Sequence, residues 1–241
     1  MSKLVWDKAG EKTYETGVDH GVLFIWDPTL NSNAGGWGTG IPWNGLTGVT
    51  ESPSGAEATA FWADNIKYLN LMSAEDFGAT IEAYTYPEEF GACDGSKEIA
   101  PGVYIGQQSR QKFCFCYRTR FGNDLLGDDY SEKIHIIYNC LAAPSEKGYQ
   151  TVNDSPELIT FSWTISTTPE EVGTIDGVEY KPTAHLEIER SQAKTAGQTD
   201  HYQDLLDYLY GTDGTGGAAG TNAQLPTPAQ VYSLITTGSA A

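Results

Sequence analysis

The chain has 241 residues, and its 14 Lys and Arg against 32 Asp and Glu give a formal net charge of −18. Tight binding to nucleic acid requires clustered cations, so this balance argues against it. No run of residues approaches the roughly 20 apolar positions of a membrane helix, and charged residues interrupt the N-terminus where a signal peptide would have its apolar core. We therefore expect no membrane association and no export.

Strand-forming residues dominate the first part of the chain. After a first predicted strand at 17–26, residues 31–45 are rich in Gly and Asn and predict a long irregular loop. This loop carries Trp37 and Trp43, whose rings either fold back onto their own domain or become ordered on a neighbouring subunit.

Residues 57–71 divide into two strand-forming runs around Asp64–Asn65, which is the two-residue turn expected of a hairpin. Residues 73–76 then predict a turn, and 77–86 predict another strand. Further strands are predicted at 112–121, 133–141, 158–167 and 184–189, with a second tight hairpin turn at Asp176–Gly177. In 158–167 the apolar residues alternate with Ser and Thr, which indicates one buried face and one polar, uncharged face.

The strand at 112–121 concentrates positive charge. Arg110, Lys112, Arg118 and Arg120 are four of the 14 cations, and they follow one alternating register opposite a row of aromatic residues. No acidic residue occurs from 99 to 123. This basic strip is either half of an electrostatic contact with an acidic neighbouring subunit, or a strand face with local ion pairs.

The C-terminal part changes character. Residues 202–209 have helical spacing after a capping-box pattern at Asp200 and Gln203, and Gly211 is a plausible stop. We divide the chain into a β-domain at 1–210, a flexible linker at 211–226 and a C-terminal arm at 227–241. Thr227 and Pro228 suit the start of a short helix in this arm. Its apolar stripe is formed by Val231, Leu234 and Ile235, and must dock on its own domain or on a neighbour.

The sequence contains no recognisable catalytic or metal-binding motif. No catalytic motif is present, and the four histidines have no partner at a fixed spacing. The four cysteines lack the paired spacing of a zinc site and are expected to be reduced thiols. We therefore predict no enzyme activity, no cofactor and no metal site.

Four segments together resemble a known family: ESPSGAEATAFWADNIKYLN, SAEDFGATIEAYTYPEEF, PGVYIGQQSRQKF and YRTRFGNDL. Over about residues 40–170 the chain resembles the major tail protein, or tail tube protein, of long-tailed phages and prophages of Gram-positive bacteria. The resemblance implies a mainly β fold, an antiparallel β-sandwich or half-barrel with a flanking helix and extended arms. It also implies hexameric rings that stack into a tube around a tape-measure protein and later conduct double-stranded DNA without binding it specifically.

By the same resemblance, the partners are further copies of the chain, the tape-measure protein, and the terminator and tip proteins at the ends of the tail. The protein would be assembled in the cytoplasm of the host bacterium and would reside in the virion tail. From composition and periodicity, the candidate inter-subunit contacts are Trp37, Trp43, Arg110, Lys112, Arg118, Arg120, Val231, Leu234 and Ile235. The loop at 31–45 and the tail after Gly211 are the candidate ring-to-ring arms.

Two other functions also fit the sequence. A carbohydrate-binding or adhesive β-sandwich would use Trp26, Trp37, Trp43 and Trp62 as stacking platforms for sugar rings. A tube protein of a phage-like secretion or injection apparatus would assemble by the same physics as a tail tube. Self-association separates the tube proteins from the carbohydrate-binding module.

Overall fold

The computed structural model describes residues 4–33, 35–151, 154, 157–190, 201–214 and 219–240. Its strands are β1 (Thr13–Asp27), β2 (Gly36–Trp37), β3 (Ile41–Trp43), β4 (Leu46–Glu51), β5 (Ser54–Gly55), β6 (Ala58–Ala63), β7 (Ile66–Met72), β8 (Glu75–Asp76), β9 (Gly78–Ala83), β10 (Lys97–Ala100), β11 (Val103–Ile105), β12 (Phe113–Asn123), β13 (Gly127–Ala142), β14 (Phe161–Ser166), β15 (Gly173–Ile175), β16 (Val178–Tyr180) and β17 (His185–Glu189). The helical segments are α1 (Leu30–Asn33), a 3-10 turn at Glu88–Phe90, α2 (Gly91–Asp94), α3 (Tyr202–Tyr210) and α4 (Pro228–Thr237). The prediction of a mainly β fold is confirmed.

One large antiparallel sheet organises the domain, in the order β2-β1-β12-β13-β14-β9-β4, with β3 on β1 and β17 on β13. The sheet curls so that β4 returns towards β1. At this approach a Cβ on Gly21 would lie only 2.6 Å from Leu46 Cδ1, so the residue must be small. The result is a half-barrel with an apolar interior.

Two cores lie on opposite faces of the central strands. The interior of the half-barrel is packed with aromatic residues, including Trp43, Phe90, Phe113, Phe115 and Trp163. The second core lies between the outer face of β1, β12 and β13 and the two C-terminal helices, and includes Phe24, Cys116, Ile136, Leu205 and Leu234. The alternation predicted for 112–121 is therefore present, but both faces of its first half are buried.

Several local predictions are confirmed and two are wrong. Asp64 and Asn65 have φ of 51° and 64°, and Asp176 has φ of 50°, as the predicted hairpin turns require. The loop at 31–45 contains regular structure, because β2 and β3 pair with β1 along its free edge. Residues 75 and 76 do not turn but form β8, which pairs with β5 and continues the ladder.

The C-terminal helices follow the predicted signals where the structure describes them. Gly211 ends α3 with φ of 79°, while the proposed cap Asp200 lies outside the described residues. Thr227 caps α4 through a capping box with Gln230, and Pro228 is its first helical residue. No helix within the described ranges is long and apolar enough to cross a membrane.

Candidate assembly surface

A long β-ribbon leaves the half-barrel at β4 and β9. The two strands pair from Leu46↔Ala83 to Glu51↔Ala79 inside the large sheet. The ladder then continues through β5 and β8, and ends in β6 and β7 at the pair Ala63↔Ile66. We call residues 54–76, the part outside the large sheet, the projecting ribbon.

The projecting ribbon is exposed along nearly its whole length. Every residue of β7, and all of β6 except Ala60, is exposed. Its large apolar side chains, with their exposed fractions, are Phe61 46%, Trp62 69%, Ile66 63%, Tyr68 68%, Leu69 38%, Leu71 57% and Met72 71%. Phe61 and Leu69 are directly paired across the strands, so they lie on the same face.

Such a ribbon is poorly stabilised alone. An isolated two-stranded hairpin is at best marginally stable in water, and contiguous exposed apolar surface on a soluble protein marks an interaction site. β6 is six residues long, so it extends over roughly 20 Å. The projecting ribbon is therefore a surface that a partner would cover.

A second surface lies at the root of this ribbon, on the outer face of β4, β9 and β14. Thr50, Thr80 and Thr164 form a row across the three strands, and Glu82 pairs with Ser162 in the next row. None of the three strands contains Lys or Arg. The polar, uncharged face predicted from 158–167 thus extends over three strands, with Glu82 as its acidic group.

The four cations of the basic strip find partners within their own chain. Arg110 donates to the carbonyl of Ala142 at 2.9 Å and lies 3.6 Å from Asp94. Lys112 places its ammonium 3.8 Å from the centre of the Trp26 ring. These contacts give both side chains a structural role.

Arg118 and Arg120 meet the same carboxylate. Arg118 contacts both oxygens of Asp19 and also Glu132 at 2.7 Å. The Arg120 side chain is 51% exposed and reaches Asp19 only at 3.6 Å. Of these two, Arg120 is thus the more available to a neighbouring subunit.

The two tryptophans of the predicted loop pack within their own domain. Trp43 is 2% exposed, lies in the aromatic core, and donates its Nε1–H to the carbonyl of Thr85. Trp37 is partly buried and packs edge-on against Trp26, with ring centres 5.1 Å apart. Trp62, on the projecting ribbon, is the one of the four proposed sugar platforms that is highly exposed.

The C-terminal apolar stripe docks on its own chain in this structure. Val231 and Leu234 are 7% and 3% exposed in the second core, and Ile235 packs at its edge. Parts of the predicted linker are also bound to the domain. The carbonyl of Ala223 accepts from Gly40, and that of Pro226 accepts from the Tyr138 hydroxyl.

The four cysteines are free and buried, and they are divided between the two cores. Cys93 and Cys140 lie in the half-barrel, and Cys114 and Cys116 lie in the second core. Burial raises the pKa of Cys93 to about 12 and raises the pKa of the others further. The thiols are therefore protonated at neutral pH and poorly suited to metal binding or nucleophilic chemistry.

One cluster with ligand chemistry was not predicted from the sequence. Glu51, His135 and His185 come from β4, β13 and β17, and their ligand atoms all lie within 4.8 Å of one another. Burial lowers the pKa of His185. The residues are far apart along the chain, so no local spacing could have indicated the cluster.

Comparison with known proteins assigns no family to this chain. No family model matches the chain, and no curated protein matches it. A chain of the cryo-EM structure of the anti-feeding prophage baseplate, solved with 6-fold symmetry, is similar at a TM-score of 0.36 and 9% identity, over 77% of this chain and 97% of that chain. A likeness this weak decides neither fold nor function.

Proposed function

We propose that this protein is a structural subunit that associates with copies of itself into stacked rings, forming the tube of a phage tail. The projecting ribbon carries this proposal, because it presents apolar side chains on a hairpin that its own domain does not cover. A second copy of the chain is the occupant we assign to it. The resemblance of residues 40–170 to major tail proteins supports this class of assembly.

We assign the ribbon to a different surface of the neighbouring copy, so that the contact joins two unlike patches. Contacts of this kind generate closed rings or open filaments. Hexameric closure and head-to-tail stacking follow from the resemblance and belong to the proposal.

The outer face of β4, β9 and β14 is the surface we assign to the lumen. DNA carries one negative charge per 1.7 Å of its axis, so lysine or arginine on the wall would hold it. The three strands lack both, and the net charge of the chain is −18. A wall of this composition lets a duplex pass.

The test is sedimentation velocity of the purified chain over a concentration series, with variants of the ribbon. The double substitution Phe61→Ser and Leu69→Ser removes one apolar face and is expected to leave a folded monomer, because neither side chain belongs to a core. Tyr149→Ser is the matched control, since Tyr149 is 75% exposed and lies outside the ribbon. Assembly of the double variant at wild-type concentrations would contradict the role of the ribbon.

A further inference from the structure

A cluster of two imidazoles and one carboxylate lies at the edge of the half-barrel interior. Glu51 is the last residue of β4, His135 lies within β13 and His185 begins β17. The Oε1 atom of Glu51 lies 3.1 Å from His185 Nε2 and 3.6 Å from His135 Nδ1. The proposed tail-tube function does not use this cluster.

The surroundings of His135 determine which ring nitrogen carries its proton. Thr119 donates its hydroxyl hydrogen to Glu15, at an Oγ1–Oε1 distance of 2.5 Å, so that oxygen can only accept from the histidine. His135 Nε2 lies 3.0 Å from Thr119 Oγ1 and 3.4 Å from Glu15 Oε1. Two acceptors face Nε2, so a neutral ring carries its proton there and presents its lone pair at Nδ1.

The Nδ1 atom of His135 faces Glu51 Oε1 at 3.6 Å, beyond ordinary hydrogen-bond distance. The His135 side chain is 6% exposed, and its Nδ1 atom is buried without a hydrogen-bond partner among the described residues. A ring lone pair and a carboxylate oxygen 3.6 Å apart repel each other unless a positive charge lies between them. Nearly all buried polar groups in native proteins are paired, so this exception requires an explanation.

His185 presents a second exception at the same place. Its Nε2 atom is also buried and makes no hydrogen bond within the described part of the chain, although Glu51 Oε1 is close. Phe77 stacks on the ring at 4.8 Å between centres and fixes its plane. Two unsatisfied nitrogens therefore flank one carboxylate oxygen.

These distances fit one class of ligand. Zinc binds histidine nitrogen at about 2.0–2.1 Å in a tetrahedral arrangement, which places neighbouring ligand atoms about 3.4 Å apart. The two nitrogen–oxygen distances, 3.1 and 3.6 Å, bracket that value, and all three ligand atoms lie within 4.8 Å of one another. The two imidazole rings are nearly parallel, at 10°, with their centres 5.6 Å apart. Magnesium and calcium prefer all-oxygen sites, so two imidazoles select against them.

The side chains that contact the three proposed ligands also hold them in place. Tyr117 donates its hydroxyl to Glu51 Oε1 at 2.7 Å and orients the carboxylate. Glu15, together with Thr119, orients His135 from the far side of its ring, as carboxylates do for metal-binding histidines. We propose that Glu51, His135 and His185 bind a divalent transition metal ion of the zinc class.

Binding would join strands that have no ladder between them. β4 pairs with β9, whereas β13 pairs with β17, so the ion would tie the root of the projecting ribbon to the opposite wall of the half-barrel. The expected consequence is a more stable domain. At 100-fold excess of free metal over the Kd, Tm is expected to rise by about 5–10 °C.

The test uses the full chain without an affinity tag. It is stripped with a chelator, dialysed against Zn²⁺, passed through a desalting column and analysed for metal by mass spectrometry. We expect one ion per chain in the wild type, and loss of the ion in His185→Ala and in Glu51→Gln, which keeps the size of the side chain. His20→Asn is the matched control, because His20 is half exposed, lies outside the cluster and has φ of 50°, which Asn tolerates.

A second measurement does not depend on the folding of any variant. Co²⁺ added to the wild type should give the visible absorption of a tetrahedral site, and Zn²⁺ should displace it. If the wild type retains no ion, or gives no Co²⁺ absorption, the proposal is overturned. Equal retention by His185→Ala would overturn it as well.

Discussion

The guanidinium of Arg118 binds both carboxylate oxygens of Asp19, with Nε–Oδ1 at 2.7 Å and Nη2–Oδ2 at 3.0 Å. Asp19 lies on β1 and Arg118 on β12, so this bidentate pair joins neighbouring strands at the end of the buried segment. Glu132 on β13 binds the same guanidinium at 2.7 Å. Three central strands are thus linked through one side chain.

Replacing Arg118 with Ala is expected to lower the free energy of unfolding by about 1–3 kcal/mol, because two partly buried carboxylates lose a charged hydrogen-bond donor. Urea denaturation measures the change. Arg120→Ala is the matched control and should cost less than about 1 kcal/mol, since the side chain is half exposed. Equal losses of unfolding free energy in the two variants would show that the bidentate pair stabilises the fold no more than the exposed contact of Arg120 does.

The ion pair of Asp19 with Arg118 also predicts that the free energy of unfolding depends on pH. Partial burial raises the pKa of Asp19, but hydrogen bonds from Arg118 and His20 outweigh it and lower the pKa from 3.8 to about 2. A lowered folded-state pKa stabilises the fold above the unfolded value, and this contribution is lost as the pH falls through the folded value. The difference in unfolding free energy between wild type and Asp19→Asn should therefore shrink between about pH 4 and pH 2. A constant difference across that range would contradict this assignment.

The local turns could be predicted because they depend on a few adjacent residues. Asp64–Asn65 and Asp176–Gly177 adopt the positive φ that two-residue hairpins require, and these residue types tolerate it. Thr227 caps α4 for the same local reason. Periodicity likewise predicted the alternation of β12 and β14.

The burial of β12 on both faces could not be predicted in this way. Cys114 and Cys116 alternate in the same register as Lys112 and Arg118, but helices α3 and α4, far along the chain, cover their face of the strand. The exposure of the projecting ribbon could not be predicted either. Residues 58–72 have the composition of buried strands, and only the tertiary structure shows that nothing covers them.

Placement of the C-terminal helix in the second core predicts a cost for truncating its side chains. Leu234→Ala should destabilise the monomer by about 2–5 kcal/mol, because Leu234 is 3% exposed against α3 and the sheet. Thr236→Ala, on the exposed side of the same helix, should change stability by about 0.5 kcal/mol or less. Unchanged stability of Leu234→Ala would mean that the helix does not dock on its own chain in solution.

The lumen assignment predicts a gain of DNA retention. Thr164 is exposed on the polar face of β14, so Thr164→Lys would add one cation per subunit to the wall. Assembled tubes of this variant should co-sediment with short linear duplexes more than wild-type tubes do, and the difference should fall as salt rises. Thr236→Lys carries the same charge on α4, away from the assigned face, and is the control. Equal retention by both variants would place the polar face elsewhere than the lumen.

The measurement that tests the central claim most directly is negative-stain electron microscopy of the purified wild-type chain over a concentration series. We predict rings at moderate concentration and hollow tubes at high concentration, both absent from the Phe61→Ser, Leu69→Ser double variant. Uniform particles of monomer size at every concentration would contradict the claim that this chain assembles with itself.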